Sequence, residues 1–286
     1  MKTYSEIYLN ARRRLRAAGI DAHDLEARLI VSYASGKSRE EYIAANRFYV
    51  TDTTVEKTVD ELIERRLSGE PVAYLVEEWE FYGLPIVVNR SVLIPRVDSE
   101  LLAEISIKLL KRRGWQTRLL DLCAGSGCIG LAISAHVPTC RVVLADVSDQ
   151  ALSVCRKNML KNGLSRHVTT IEVDVTKSPP ALLGRFDVIV SNPPYIPTDD
   201  IQTLDASVRD YEPHVALDGG YDGLHFIRAI VAHWTTLLKP GGNLALECGI
   251  GQAHAVSEIM RYAGYEDINI YTDTGDIERV VVGTLK

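Results

Sequence analysis

A glycine-rich segment near the middle of the chain carries the residue pattern of a nucleoside-binding turn. The apolar run Leu119–Leu122 leads into Cys123-Ala124-Gly125-Ser126-Gly127, and Gly130 completes the spacing G-x-G-x-x-G. Glycines let a ligand approach the backbone closely, and the helix N-terminus predicted to follow offers free N–H groups. Asp146 lies about 20 residues after Gly125, at the end of the next predicted strand, where an acid can accept from a ribose hydroxyl.

Two classes of nucleoside-binding protein share this pattern: oxidoreductases that bind NAD or FAD, and methyltransferases that bind S-adenosylmethionine. Asp121 bears on the choice, because its carboxylate would repel a pyrophosphate and attract the cationic end of S-adenosylmethionine, directly or through an ordered shell. Asp174 ends the third predicted strand, where it can accept from an adenine amino group, and we place Val175 with it in the cofactor site. The glycine pattern alone leaves both classes open.

The tetrad Asn192-Pro193-Pro194-Tyr195 follows the fourth predicted strand and provides hydrogen-bond acceptors in a rigid frame. Its two prolines fix φ and lack backbone donors, so the Asn192 side-chain oxygen and the Pro193 carbonyl can both accept from one NH2 group. Tyr195 supplies a ring that can lie against a flat π-system. The tetrad therefore suits a planar amide or an aromatic amine that is presented to a methyl donor.

An amide nitrogen is a poor nucleophile because its lone pair is delocalised into the carbonyl, and no strong base is evident beside the tetrad. Acceptors on both amide hydrogens would aim the lone pair at the methyl group, and the charge that develops on nitrogen would fall among carbonyl dipoles.

His214 and His225 flank this region but fit no motif, and we expect both to be surface residues. The long segment 196–222 after the tetrad is interpreted as a lid.

The composition excludes several classes of protein. The chain has 286 residues, of which 46% are hydrophobic and 24% charged, which argues against disorder, collagen and coiled coil. A formal net charge of -6 disfavours a protein that grips duplex DNA through its phosphates. The five cysteines include no C-x-x-C pair and predict reduced thiols rather than disulfides or a metal site. Without a signal-peptide core or an apolar run of about 18 residues, the sequence predicts a soluble cytoplasmic protein that does not bind a membrane.

These candidate residues need a scaffold that brings strand ends together, and the pattern along the chain predicts one. Residues 1–70 carry apolar side chains at three- and four-residue spacing and predict a small helical bundle, with a capping box at Ser38. Residues 71–95 are rich in Tyr, Trp, Phe and Val and predict a β-hairpin linker. Residues 96–286 alternate strands with helices, which predicts a mainly parallel sheet covered on both faces. No helix separates the last two strands, so one of them is expected to be antiparallel.

Several segments resemble a known family. The glycine turn, Asp146 and the tetrad resemble the amino methyltransferases of the class I S-adenosylmethionine fold, and the whole chain resembles the HemK/PrmC family. The segments that carry the second resemblance are Gly69-Glu70-Pro71 with Tyr74, Phe81-Tyr82-Gly83-Leu84-Pro85, Leu93-Ile94-Pro95-Arg96-Val97-Asp98-Ser99-Glu100, Tyr211-Glu212-Pro213, Ala216-Leu217 and Gly219-Gly220-Tyr221-Asp222-Gly223-Leu224.

The resemblance implies an α/β fold of the class I S-adenosylmethionine-dependent methyltransferases, Rossmann-like, with a mostly parallel seven-stranded sheet behind the helical bundle and hairpin. It implies methyl transfer from S-adenosylmethionine, giving S-adenosylhomocysteine, to the side-chain amide nitrogen (N5) of the glutamine in the GGQ motif of peptide chain release factors. No metal is implied, and no direct contact with nucleic acid. Asn192, Pro193 and Tyr195 would be catalytic, the whole tetrad would bind substrate, and Asn192 would also touch the cofactor. Residues 1–70, in which basic and acidic side chains balance, would dock the release factor.

Two departures from the family pattern qualify the resemblance. Cys123-Ala124 stands where the family usually has Gly-Thr, so we expect these two residues to contact the cofactor through their backbones. Val97 replaces a proline.

A methyltransferase acting on N6 of adenine or N4 of cytosine uses the same tetrad on a flipped base and is the nearest alternative. A release-factor-binding protein with impaired catalysis is the alternative that Cys123-Ala124 motivates. A structural appendage is the alternative for residues 1–70.

Overall fold

The computed structural model describes residues 1–286, with Arg39 described in its backbone alone. The chain forms two compact units. The first consists of Met1–Glu78 and Asp205–Tyr211, and the second of Trp79–Leu204 and Glu212–Lys286.

The secondary structure follows the predicted alternation in the second unit and is helical in the first. The helices are α1 (Tyr4–Ala17), α2 (His23–Ala34), α3 (Arg39–Ala45), α4 (Thr53–Leu67), α5 (Val72–Val76), α6 (Glu100–Arg113), α7 (Cys128–His136), α8 (Asp149–Lys161), α9 (Ala206–Arg209), α10 (His225–Trp234) and α11 (Ala253–Tyr262). The strands are β1 (Glu78–Phe81), β2 (Leu84–Val87), β3 (Arg118–Leu122), β4 (Arg141–Asp146), β5 (Val168–Glu172), β6 (Phe186–Ser191), β7 (Leu238–Glu247), β8 (Tyr265–Thr272) and β9 (Glu278–Leu285). None of the helices in the described chain is both long and apolar enough to cross a membrane.

The helical unit starts its helices with side-chain caps. The Ser38 hydroxyl accepts from the Glu41 backbone N–H while the Glu41 carboxylate accepts from that of Ser38, so the predicted capping box is confirmed. Asp52 caps α4 in a simpler way, by accepting from the Thr54 N–H at 2.8 Å. Each cap satisfies backbone donors that the first helical turn leaves free.

The predicted hairpin over residues 71–95 is shorter in the structure, and its first part is wrong. Val72–Val76 form helix α5, with Pro71 at its N-cap and all five side chains buried. A short buried apolar run does not distinguish strand from helix by its periodicity, which explains the error. The hairpin itself joins β1 to β2 through Tyr82 and Gly83, both with φ near the left-handed region at 51° and 77°.

The second unit is built on one sheet. In the described chain this sheet has seven strands in the order β5-β4-β3-β6-β7-β9-β8. Strands β3 to β7 pair in parallel, and β9 is antiparallel to both β7 and β8, which confirms the predicted reversal at the end of the chain. Helix α10 packs on the core of this sheet through the fully buried Trp234, whose Nε1 donates to the Val175 carbonyl at 2.9 Å.

The strand order fixes where a ligand can bind. Strand β3 pairs with β4 on one side and with β6 on the other, so the chain reverses its direction of winding at β3. In open parallel sheets the crevice at the carboxyl ends of such strands is the usual ligand site. Asp121, Asp146, Asn192 and Glu247 all lie at or directly after the carboxyl ends of β3, β4, β6 and β7.

Candidate active site

The three glycines of the turn have different surroundings. A Cβ on Gly127 would lie 2.8 Å from Leu144 Cδ1, and one on Gly130 would overlap the same leucine, so both glycines are required by packing of α7 on the sheet. Gly125, at φ +57°, has no atom within 4 Å of a would-be Cβ. Open space in front of the Gly125 backbone is what close approach of a ligand requires.

Cys123 and Ala124 precede this open glycine. Cys123 has φ +57°, a left-handed conformation that favours glycine. Burial raises the pKa of its thiol, so the side chain stays protonated. Ala124 is buried and its N–H donates to the Ala145 carbonyl at 3.0 Å, which ties the turn to β4. Ser126 is buried too, and its carbonyl accepts from Asn158 Nδ2 at 3.0 Å.

Asp146 holds the turn in place. Its Oδ2 accepts from the Gly125 N–H at 2.8 Å, and its Oδ1 accepts from the Ser148 N–H at 3.0 Å. Burial raises the pKa of this largely buried carboxyl, and the backbone donors lower it. A carboxylate offers about four lone-pair positions, so two backbone bonds leave acceptor capacity for ribose hydroxyls.

Asp121 is a buried carboxyl with one oxygen unused. The residue is 1% exposed, and its Oδ2 accepts from the Gly130 N–H at 2.9 Å. Oδ1 is also buried but has no hydrogen-bond partner among the described residues. Burial raises the pKa of this carboxyl to about 7. A cationic ligand would satisfy the free oxygen and restore the charge, since unpaired buried polar atoms are rare in folded proteins.

Asp174 and Val175 occupy more ordinary positions. One oxygen of Asp174 accepts from both the N–H and the hydroxyl of Thr176, at 2.9 and 2.6 Å, and Lys177 lies 3.2 Å from the other. The Thr176 hydrogen bonds lower the pKa of this carboxyl. Val175 belongs to the hydrophobic core. A contact of either residue with adenine stays a prediction.

The Asn192 amide has one end anchored. Its Nδ2 donates to the Ser99 hydroxyl oxygen at 3.0 Å, and Ser99 is 2% exposed. Among the described residues, none donates to Asn192 Oδ1, so that oxygen is available as an acceptor. The preceding residue, Ser191, is fixed in turn, because its hydroxyl donates to the Leu122 carbonyl at 2.8 Å. Pro193 and Pro194 are both buried.

The backbone of Tyr195 is clamped by residues far along the chain. Its carbonyl accepts from Gln252 Nε2 at 2.9 Å. A Cβ on Gly219 would lie 2.7 Å from Tyr195 Cα, and a Cβ on Gly223 would overlap the Tyr195 carbonyl oxygen. Gly219 and Gly223 are therefore required because the tetrad lies against them. Burial raises the pKa of the Tyr195 phenol, whose oxygen is 3.5 Å from Glu247 Oε1.

Comparisons with known proteins match both units. A family model described as "Methyltransferase small domain" matches residues 97–208, and one described as "PrmC N-terminal domain" matches residues 6–76. A release factor glutamine methyltransferase from Caulobacter vibrioides is 36% identical over 283 residues, which cover 98% of this chain and 96% of that protein. The chain belongs to the release factor glutamine methyltransferase family. Another member, from Geobacter sulfurreducens, is 42% identical over 224 residues, or 78% of this chain and 76% of that protein.

The fold agrees with that of solved methyltransferases. A crystal structure of a methyltransferase from Pyrococcus furiosus matches with a TM-score of 0.52 at 19% identity, covering 77% of this chain and 96% of that one. At this level of identity the likeness concerns the fold alone. With the seven-stranded sheet and the matching methyltransferase domain, this member of the release factor glutamine methyltransferase family has the predicted class I S-adenosylmethionine-dependent fold.

The structure also explains why distant segments of the family pattern occur together. Glu212, from the Tyr-Glu-Pro segment, is 5% exposed and accepts from the Ile94 N–H at 3.1 Å. It also forms an ion pair with Arg96. Burial raises the pKa of Glu212, and the Arg96 charge lowers it. The segment that ends in Ser99 is therefore held against the segment that follows the tetrad.

Sequence reasoning missed four residues that lie around the candidate site of this family member. Ser99 and Glu247 lie beside Asn192 and Tyr195, Gln252 holds the Tyr195 backbone, and Arg279 acts on Glu247 from β9. Glu247 ends a buried strand, the same signal that selected Asp121 and Asp146, and could have been found that way. Ser99, Gln252 and Arg279 reach the candidate site only through contacts between segments far apart in the sequence.

Both His214 and His225 are exposed, as predicted, and the segment after the tetrad has defined contacts. The His225 ring packs edge-on against Phe226, with ring centroids 5.0 Å apart. The segment is tied at its ends, since the Ile196 N–H donates to the Leu217 carbonyl at 3.1 Å and the Gly219 N–H to the Ile196 carbonyl at 2.8 Å. Its movement as a lid stays a prediction.

Proposed function

We propose that this chain transfers a methyl group from S-adenosylmethionine to the side-chain amide nitrogen of the glutamine in the GGQ motif of peptide chain release factors. One observation carries the proposal: the Asn192 amide is anchored through its nitrogen, so that its oxygen is left to accept. Acceptors are what a primary amide substrate, with two N–H donors, requires. Family membership supports the same substrate, since the relatives are named release factor glutamine methyltransferases.

The residues of the glycine turn fit S-adenosylmethionine. The unpaired, buried Asp121 Oδ1 calls for a positive partner, the Gly125 backbone is open to close approach, and Asp146 retains acceptor capacity. When bound, S-adenosylmethionine supplies a methyl group on a positively charged sulfur, and the product is S-adenosylhomocysteine. The reaction as proposed uses no metal.

The tetrad orients the substrate amide. Asn192 Oδ1 and the Pro193 carbonyl accept one amide hydrogen each, which turns the nitrogen lone pair away from both acceptors and toward the methyl group. The Tyr195 ring packs on the planar amide, and the clamp on its backbone keeps the ring in place. Fixed alignment of this kind lowers the barrier because orientation is settled before the reaction begins.

The same acceptors stabilise the charge that develops on nitrogen. As the new N–C bond forms, the amide nitrogen becomes positive and its hydrogens become stronger donors to Asn192 and Pro193. Carbonyl dipoles already aimed at that nitrogen need no reorganisation, so their stabilisation is greatest in the transition state. The nitrogen then loses one proton, which can pass to water.

Residues 1–70 are proposed to dock the release factor. Their charges balance, which suits contact with a protein better than contact with phosphates. A variant that begins at Glu70 should keep its affinity for S-adenosylmethionine and its activity on a short GGQ peptide, and lose activity on intact release factor. Equal loss on peptide and protein would contradict a docking role.

Mass spectrometry of release factor after incubation with S-adenosylmethionine tests the function. We expect a mass gain of one methylene on the peptide that contains GGQ, and none on a release factor whose GGQ glutamine is replaced by glutamate. Adenine- and cytosine-containing oligonucleotides serve as competing substrates. Methylation of these, with release factor unmodified, would support the nucleobase alternative, and binding of release factor without transfer would support the catalytically impaired one.

A further inference from the structure

Glu247 is a buried carboxyl at the edge of the tetrad. It is 1% exposed and ends β7, where Leu246 pairs with Ser191 of β6. Glu247 is the residue after this pair on β7, and Asn192 is the residue after it on β6. The two residues therefore lie level with each other at the carboxyl ends of neighbouring parallel strands. The mechanism proposed above gives Glu247 no task.

The hydrogen bonding of Glu247 is incomplete. Its Oε1 lies 3.5 Å from the Tyr195 hydroxyl oxygen, a long hydrogen bond, and its buried Oε2 has no hydrogen-bond partner in the described chain. Burial raises the pKa of this carboxyl to about 7, whereas the nearby Ser99 hydroxyl and the Arg279 guanidinium lower it. A buried carboxylate with an open oxygen is a strong acceptor for any adjacent hydroxyl.

Ser99 supplies that hydroxyl. Its oxygen already accepts from Asn192 Nδ2 at 3.0 Å, so its own proton is free to be donated. The Ser99 hydroxyl lowers the pKa of Glu247, and Glu247 lies level with Asn192 on the neighbouring strand, so this carboxyl is placed to receive the proton. With the opposite orientation of the Asn192 amide, the Ser99 proton would go to Asn192 instead, Glu247 would lose its donor, and an NH2 group would face the substrate NH2. The substrate NH2 group would then face another hydrogen-bond donor and would lose the acceptor that orients it.

We propose that Glu247 is a positioning residue that, through the Ser99 hydroxyl, sets which end of the Asn192 amide faces the substrate, and through the Tyr195 hydroxyl steadies the aromatic ring. The chain of donors runs from Asn192 Nδ2 to Ser99 Oγ and from the Ser99 hydroxyl to Glu247. The inference deepens the proposed function, on which it rests, and assigns no substrate contact to Glu247.

The direction of this chain depends on the charge of Glu247. The ionised carboxyl can only accept, whereas the protonated one can donate to Ser99 and release the Asn192 amide to turn over. The charged and titratable groups that act on Glu247 are Arg279 from β9, Asp98 from the turn before α6, and Tyr195 from the tetrad, with Cys248 next to it in the chain. The pKa values of Arg279, Tyr195 and Cys248 are all raised, so these three keep one protonation state between pH 6 and 8. The rate of methyl transfer should therefore increase with pH as Glu247 ionises.

Single-turnover methylation of release factor at saturating S-adenosylmethionine tests the inference, with Glu247→Gln compared with the wild type from pH 6 to 9. We expect the rate of methyl transfer at pH 8 to fall about 10- to 100-fold, the range known for residues that orient metal ligands without touching the metal. KM for release factor and Kd for S-adenosylmethionine should stay within about threefold of the wild type. The ionisation near pH 7 should disappear from the kcat profile of the variant.

Asp187→Asn is the matched control. Asp187 is a buried carboxyl on β6, but at the amino end of the strand, where it accepts from the Arg118 N–H at 2.8 Å and from Lys239 Nζ at 2.7 Å. This variant should keep both kcat and its pH profile. A change in kcat equal to that of Glu247→Gln would show a general effect of removing a buried charge and would overturn the positioning role.

Variants of Ser99 test the chain of donors itself, and they decide the question if Glu247→Gln does not fold. Ser99→Ala should lower kcat about as much as Glu247→Gln, whereas Ser99→Thr, which keeps the hydroxyl, should restore it. The double variant Ser99→Ala/Glu247→Gln should have a kcat within about threefold of that of Ser99→Ala, because both changes break the same chain of hydrogen bonds. Full activity of Ser99→Ala, or independent effects that multiply in the double variant, would overturn the proposal.

The side-chain ¹⁵N–¹H signals of Asn192, assigned by their loss in Asn192→Asp, provide a readout without activity. In the wild type they should shift with a midpoint near pH 7, and in Glu247→Gln they should not. If release factor is not methylated but the shift is present, the proposed function fails and the positioning role stands. If methylation occurs and Asn192 does not respond to pH, the positioning role fails.

Discussion

The Gly125 backbone N–H donates to the carboxylate of Asp146 at 2.8 Å, across the carboxyl ends of β3 and β4. The acid predicted to bind a ribose is thus also the residue that holds the glycine turn open. In the proposed function, cofactor binding and the shape of the turn both depend on this one carboxylate, and a substitution there should affect both.

Asp146→Ala should weaken S-adenosylmethionine binding by about 1.5–3 kcal/mol, because charge-assisted hydrogen bonds to the ligand are lost. The free energy of unfolding should also fall, by about 1 kcal/mol, because the Gly125 N–H loses its acceptor. Calorimetry and denaturant unfolding measure the two effects. Asp149→Ala removes a nearby carboxylate that is exposed and pairs with Arg156, and should change neither. Unchanged cofactor affinity in folded Asp146→Ala would contradict the assignment.

Binding of S-adenosylmethionine should release a proton from Asp121. Burial raises the pKa of this carboxyl to about 7, so the protonated form is favoured below that pH in the free protein. A cation nearby favours the ionised form, so affinity should increase as the pH rises from 6 to 8. Calorimetry in buffers of different ionisation enthalpy counts the protons. The ligand's own ionisation is common to wild type and Asp121→Asn, so equal proton release by the two would exclude Asp121 as the source.

The ligand-free protein should become less stable as the pH rises from about 4 to 7. The pKa values of Asp121 and Glu247 are raised to about 7 in the folded state. Between the unfolded and the folded pKa, the native protein binds more protons than the unfolded chain, so its free energy of unfolding falls with pH. Urea unfolding at pH 5 and pH 7.5 should show this loss. The loss should be smaller in Asp121→Asn and in Glu247→Gln, and a difference as large as in the wild type would count against these two carboxyls as its cause.

Asn192→Ala should lower kcat about 100- to 1000-fold, the usual effect of removing one preorganised partner of the transition state. Affinity for S-adenosylmethionine should fall much less. Tyr195→Phe should be mild because the ring is kept, and Tyr195→Ala severe. Single-turnover transfer with cofactor binding measured in parallel separates these effects. Near wild-type transfer by Asn192→Ala would make the tetrad a structural turn, and complete loss of cofactor binding would reassign Asn192 to the cofactor site.

Gly223→Ala should lower kcat strongly, whereas its free energy of unfolding should fall only as much as that of a control glycine variant. The new Cβ would overlap the Tyr195 carbonyl oxygen and displace the tetrad. Gly163→Ala is the matched control, because Gly163 has a similar φ, +68° against +73°, and no atom within 4 Å of a would-be Cβ. Both variants carry the same backbone strain, about 1–2 kcal/mol. Only Gly223→Ala should lose activity, and equal losses would mean that strain alone is responsible.

The position of the main candidate residues in the fold was predictable from the sequence. Asp121, Asp146 and Asn192 each follow a short apolar run, and parallel strands bring their carboxyl ends to one edge of a sheet. Alternation of strands and helices sufficed to predict that arrangement, since local periodicity decides it. The antiparallel β9 was predictable from the missing helix before it.

Partners of those residues were not predictable in the same way. Ser99 lies 93 positions before Asn192, and Arg96 lies 116 positions before Glu212, so neither contact leaves a trace in local periodicity. Helix α5 was missed because five buried apolar residues fit either a strand or a helix. The different roles of Gly125 and Gly130 likewise depend on whether Leu144 of β4 stands opposite, which only the packed structure reveals.

Strand β9 has a consequence for the synthesis of the protein. It lies between β7 and β8, and in the described sheet β8 pairs with β9 alone. On the ribosome, β7 therefore keeps an open hydrogen-bonding edge, and β8 has no neighbour, until residues 278–285 have emerged. A nascent chain stalled before that point also lacks Arg279 beside Glu247. Such a chain would expose a template for aggregation in place of a finished enzyme, because β9, the most C-terminal strand of this sheet, both closes the sheet and completes the site.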